Sequence, residues 1–208
     1  MNLGKEFLCK RELYLKDKGY KILPNQIKFH KNNIVFYHYT HSKFLHMIFS
    51  KNSGLYARRQ VSCPNIPEEF NDCYLIEGFL DPLPKWLTED YYFGNLGFEM
   101  VRRYIGNVLL RVELPMNFSG LYIADYAHIL DCKHTNLRGT SPLDLGYDIS
   151  NGHEATQAYV NSYIPVKKYE GKHMAPVIQI IRKEKGIAVP NKYLSVCKLQ
   201  PILSEIDL

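Results

Sequence analysis

The 208-residue chain is 46% apolar and 23% charged, with a net charge of +5. That balance excludes a disordered chain and predicts one large domain with a proper core. No apolar run approaches the roughly 18 residues of a membrane-spanning helix. The charge scattered through MNLGKEFLCKRELYLKDKGY is that of an arm, not of a signal peptide, so the cytoplasm is the expected compartment.

The mild positive charge suits an anionic ligand or nucleic acid, and no membrane partner is expected. The cysteines, Cys9, Cys63, Cys73, Cys132 and Cys197, are odd in number and widely spaced, which predicts free thiols. The 16 tyrosines offer stacking faces to a nucleotide, but they also pack well in sheets.

In chain order, residues 1–22 read as a helix or arm, so that 1–30 precedes a single domain over 31–208. Residues 33–39 form a β-branched and aromatic run that predicts a strand. A helix is expected over 42–52, capped by Thr40 or Ser42, with Phe44, Leu45, Ile48 and Phe49 as its apolar stripe. Gly54 stands where a left-handed cap is expected, and Leu55-Tyr56-Ala57 begins a second strand. Residues 62–96 are rich in turn formers and read as a long excursion anchored by Trp86, Tyr91, Tyr92 and Phe93. A short helix is expected over 97–105, strands over 107–114 and 120–124, and a loop over 132–152. Strand-like order returns at 157–164, 176–182 and 187–189. Short strands with few helices predict an α+β fold.

Several chemistries fall on missing parts. His128, Asp131, Cys132 and His134 have zinc-ligand chemistry but no second close pair, so no metal is expected. His38-x-Thr40 matches half of a 2H phosphoesterase signature, and neither His128, His134 nor His153 supplies the second half. Phosphate-loop, dinucleotide-binding and nucleophile-elbow motifs are missing. The basic pairs Arg58-Arg59, Arg102-Arg103 and Lys167-Lys168 suit either a phosphate backbone or a solvated surface. His38 between two tyrosines suits either a ligand contact or aromatic packing. Strand alternation puts it on the face opposite Tyr37 and Tyr39.

Tyr37-His38-Tyr39-Thr40, the following helix with Leu45 and Ile48, and Gly54-Leu55 together resemble the opening of small bacterial ADP-ribosyltransferase domains. The likeness is to the toxin-type group whose first strand carries H-Y-D or H-Y-T, and more distantly to the DNA-targeting DarT group. It runs over residues 34–59 and again over 153–181. The resemblance implies a split-β fold of two small packed sheets that grips NAD⁺ as substrate, without a metal. The acceptor would be a protein or nucleic acid, in the setting of a toxin or a phage–host conflict effector. His38 would then bond the adenosine-side ribose and Thr40 would help hold the nicotinamide side. Arg58 or Arg59 would meet the pyrophosphate, and Tyr122 or Tyr126 would stack on nicotinamide. Cleaving the N-glycosidic bond builds positive charge on the ribose, which a fixed carboxylate stabilises. Glu154 is the expected carboxylate; Gln157 takes its place if the register is read from the strand, and Glu170, beside a turn at Gly171, is a third candidate. The alternative is the same scaffold without chemistry, as a nucleotide-, nucleic-acid- or protein-binding module.

Overall fold

The structure, a computed structural model, describes residues 26–82, 84, 105–129 and 153–197. Its strands are β1 (Lys28–His30), β2 (Asn33–Thr40), β3 (Gly54–Ala57), β4 (Arg59–Val61), β5 (Cys73–Phe79) and β6 (Val108–Pro115). They continue with β7 (Leu121–Asp125), β8 (Ile164–Pro165), β9 (Pro176–Arg182), β10 (Gly186–Pro190) and β11 (Leu194–Cys197). Helix α1 (Leu45–Ile48) continues a tighter turn over Ser42–Phe44, and α2 spans His153–Asn161.

Every strand pairing among the described residues is antiparallel. A nine-stranded sheet runs β11-β6-β2-β5-β9-β7-β8, with β1 also on β2 and β4 also on β5. Strands β3 and β10 form a separate two-stranded sheet. The α+β class holds, but the two small sheets expected from the resemblance are here one long sheet and one hairpin-sized one.

Alternation along the strands divides the core in two. Ile34 and Phe36 of β2 pack with Ile76, Leu110 and Ile178 on the face covered by Ile48 of α1 and Leu55 of β3. Tyr39 packs with Leu75, Leu109 and Val177 on the face covered by α2. Phe36 is fully buried, and burying a ring of that size is worth about 1.5–3 kcal/mol. Gly78 makes room for it, because a Cβ there would stand 2.4 Å from the Phe36 ring.

Several local expectations change. Residues 153–161 are helical, not part of a strand, because Ala155, Ala158 and Tyr159 bury one face at helical spacing. Only Ile164–Pro165 of that segment is extended. The helix expected over 42–52 ends at Ile48, and the left-handed residue after it is Asn52 (φ 58°), while Gly54 opens β3. Neither Thr40 nor Ser42 caps it with a side chain; Asn107 Oδ1 instead accepts from the Ser42 N–H at 3.0 Å.

The turn-rich excursion contains β5, whose CYLIEGF alternation the surrounding prolines obscured. β1 turns into β2 through Lys31 and Asn32, both with positive φ, so the boundary expected between 30 and 31 falls inside a hairpin. The arm over 1–22, the anchors Trp86, Tyr91, Tyr92 and Phe93, nearly all of the helix expected over 97–105, and the loop over 132–152 lie outside the described residues. No helix among the described residues is long and apolar enough to cross a membrane.

Candidate functional site

β2 pairs with β6 along its whole length, yet it meets β5 through one residue pair, Tyr37 with Phe79. Beyond that pair the two strands part. The imidazole of His38 stands in the gap, its Nδ1 2.8 Å from the backbone carbonyl of Glu77. A carbonyl oxygen only accepts, so Nδ1 carries the proton and the neutral ring presents Nε2 as an acceptor. Burial holds the His38 pKa below its ordinary value, with the Glu77 carbonyl and carboxylate opposing the shift. The ring is therefore held in the neutral form that leaves Nε2 able to accept.

A cleft of about 310 Å³ opens at this parting, within the size range of small-ligand sites. His38, Tyr39 and Thr40 line it from β2, and Leu75, Ile76 and Glu77 from β5. Phe44, Met47 and Ile48 form a wall with Leu55 and Tyr56, and Arg58 and Arg59 complete it. The local sequence explains the wall. The chain turns sharply after Thr40, and the Phe44–Ile48 stripe packs down beside the strand end. Gly106 permits that turn, because a Cβ on it would stand 2.1 Å from the Thr40 carbonyl carbon.

The two arginines are placed differently. The Arg58 guanidinium lies over the Phe44 ring, 5.4 Å from its centroid. Arg59 pairs with Leu75 in the β4–β5 ladder and reaches Glu77, Nη1 to Oε1 at 2.8 Å. Glu77 raises the Arg59 pKa further, burial works against this, and the nearby Tyr126 and Tyr159 hydroxyls add to the rise.

Glu77 is the carboxylate of this cleft, and sequence reading did not single it out. The signal available was one acidic residue inside the apolar run CYLIEGF. Its Oε1 takes three donors: Arg59, the Tyr159 hydroxyl at 3.2 Å and Gln179 Nε2 at 3.5 Å. Gln179 Nε2 also donates to the Tyr159 oxygen at 2.6 Å. Gln179 sits opposite Glu77 in the β5–β9 register, and Tyr159 descends from α2. Oε2 accepts no hydrogen bond among the described residues. Burial and the Glu77 charge push the Tyr159 pKa well up, so this hydroxyl stays a donor.

The structure thus gathers His38, Thr40, Arg58 and Arg59 around one cleft. It does not bring Tyr122, Tyr126 or Glu154 to the cleft wall. Tyr122 lies edge-on to Phe70, with centroids 5.2 Å apart, in the aromatic core. Tyr126 packs edge-on against Tyr159 at 5.8 Å, one ring removed from Glu77. Glu154 is exposed in the first turn of α2. Gln157 donates to the Pro64 carbonyl at 2.6 Å, and Glu170 pairs with Lys172 at 2.5 Å on the surface.

Of the zinc-type spacing, His128 is buried, while Asp131, Cys132 and His134 lie outside the described residues. Cys63, Cys73 and Cys197 are free thiols. Compared with known proteins, the chain matches no family model, no curated protein and no solved structure.

Proposed function

We propose that the chain is an NAD⁺-dependent ADP-ribosyltransferase of the split-β kind, moving ADP-ribose to a macromolecular acceptor. One observation carries the reading. His38 Nε2 and Glu77 Oε2 are open acceptors at a single strand parting, beside two arginines that line the same cleft. Ribose hydroxyls donate and phosphate oxygens accept, so a dinucleotide complements this set. The likeness of residues 34–59 to ADP-ribosyltransferase domains supports the same ligand.

In this reading His38 takes a hydroxyl of the adenosine-side ribose, and Thr40 with the turn after it holds the nicotinamide half. Arg58 and Arg59 meet the pyrophosphate. The carboxylate role expected of Glu154 passes to Glu77, which lines the cleft. The N-glycosidic bond breaks with its electron pair leaving on nicotinamide, and C1′ gains oxocarbenium character that the Glu77 carboxylate stabilises. A lone pair of the acceptor then forms the new bond to C1′, and the acceptor's proton passes to solvent. The acceptor is a protein or nucleic acid, and a toxin or phage–host conflict role belongs to the same proposal.

The test is incubation of the purified chain with NAD⁺ labelled in the adenylate and with bacterial lysate. Labelled macromolecule and released nicotinamide are expected. No transfer and no nicotinamide release would remove the assignment. A second reading, a binding module without chemistry, is favoured by the Arg59 contact that already occupies Glu77. It predicts a thermal shift with ADP or NAD⁺ and no nicotinamide release.

A further inference from the structure

The three donors on Glu77 Oε1 are unequal. Tyr159 and Gln179 are 3% and 0% exposed, so their bonds are fixed by packing. The Arg59 side chain is 50% exposed and reaches in from β4, at the edge of the main sheet path. A single-point ion pair this open to water is weak. A diphosphate offers a guanidinium several charged oxygens in paired geometry, which is the stronger contact.

Resting on the ADP-ribosyltransferase reading, we infer that Arg59 is exchanged on binding. It holds Glu77 in the free protein and passes to the diphosphate of an entering dinucleotide, while Tyr159 and Gln179 keep the carboxylate in place. Glu77 and the diphosphate therefore compete for one guanidinium. Release of the carboxylate follows phosphate engagement, so a nicotinamide riboside without a diphosphate leaves Glu77 clamped. Arg59 selects between the two substrates through its partner, and Arg58, which lies over Phe44, has no such link to the carboxylate.

A binding cycle with inorganic pyrophosphate and with ADP, followed by calorimetry at low salt, tests this without catalysis. Glu77→Gln frees Arg59 and is expected to tighten both ligands about threefold, the fold-change equivalent of a partly exposed ion pair. Arg59→Ala is expected to weaken both by about tenfold, and Glu77→Gln should then add nothing in the Arg59→Ala background. Where Arg59→Ala does not fold, Arg59→Lys serves, with a smaller loss and a smaller coupling.

The exchange is overturned if Glu77→Gln leaves affinity unchanged or weaker. It is equally overturned if the gain persists without Arg59, which would mark general charge removal, or if neither ligand binds the parent. These results separate from the enzymatic reading. A parent that transfers ADP-ribose with a flat cycle loses only the exchange. A coupled cycle in a parent that never releases nicotinamide loses only the reaction.

Discussion

His38 donates from Nδ1 to the Glu77 carbonyl at 2.8 Å, across a gap where β2 and β5 share no ladder. The bond fixes the relative position of two residues whose remaining acceptors, Nε2 and Oε2, take no hydrogen bond among the described residues. A side chain thus does at this point what backbone pairing does elsewhere in the sheet, and the space left over is the cleft.

The first prediction separates two glutamates. Removing the Glu77 charge as Glu77→Gln deletes a fixed anion beside the proposed ribose. It is expected to lower the rate of nicotinamide release about 10²–10³-fold, the usual scale for one preorganised electrostatic group. Glu154→Gln, on the exposed first turn of α2, is expected to retain the parental rate. Steady-state assays on both variants decide it. An equal loss in Glu154→Gln would return the catalytic role to α2.

The second prediction concerns pH. Burial lowers the His38 pKa below the ordinary histidine value of about 6.5. At about pH 7.5 and above, the ring is almost wholly neutral in both folded and unfolded chains, and almost no stability depends on it. As pH falls through about 6.5 the unfolded chain binds a proton that the folded one resists, so stability is lost on acidification. The slope is at most about 1.4 kcal/mol per pH unit for one proton. Urea unfolding between about pH 7.5 and about pH 5 should reveal this component, and His38→Asn should remove it. An identical slope in His38→Asn would mean that His38 titrates as it does in the unfolded chain.

How much of this was legible in the sequence depends on the range of the interactions. The strand ending at Thr40, the apolar Phe44–Ile48 wall and the arginines after β3 are local patterns, and they converge on one cleft. β9 is found where its β-branched run predicts it, over Pro176–Arg182. Glu77 was hidden because its meaning is non-local. It becomes a cleft carboxylate only through the Arg59–Leu75 and Glu77–Gln179 registers and the descent of Tyr159 from α2. None of those contacts leaves a periodicity. The run QAYVNSYI reads as a strand by β propensity, yet Ala158, Ala155 just before it and the tertiary packing of Tyr159 make most of it helical.

The third prediction concerns the buried carboxylate at the end of β7. Asp125, fully buried at the end of β7, accepts from Ala127 N at 3.1 Å, Ala175 N at 2.9 Å and Met174 N at 3.1 Å. Its own N–H donates to Ser162 Oγ at 2.8 Å, and that hydroxyl donates to the Tyr159 carbonyl at 2.6 Å. The carboxylate therefore ties the end of β7 to the approach to β9, while the backbone N–H of Asp125, through Ser162, ties it to the last turn of α2. Asp125→Ala leaves three N–H groups without their acceptor, two of them on fully buried residues, and is expected to cost about 3 kcal/mol or more by urea unfolding. A loss below about 1 kcal/mol would mean that water or neighbouring groups replace the carboxylate.

The fourth prediction concerns the turn that shapes the cleft. Gly106 has φ 121°, and a Cβ on it would meet the Thr40 carbonyl carbon at 2.1 Å and the His41 nitrogen at 2.6 Å. Both contacts are backbone, so neither can rotate away. Gly106→Ala must therefore displace the end of β2 or the approach to β6, and is expected to cost on the order of 2–4 kcal/mol. The neighbouring Asn107→Ala removes only the Oδ1 acceptor for the Ser42 N–H and is expected to cost about 1 kcal/mol. The two differ further in binding. Gly106→Ala moves Thr40 and should raise the KM for NAD⁺, whereas Asn107→Ala frays the helix start and should alter KM less. Unfolding curves and KM values for the pair check both orders. Near-parental stability in Gly106→Ala would show that the strand end yields readily, and that Thr40 is not held in place by this close approach.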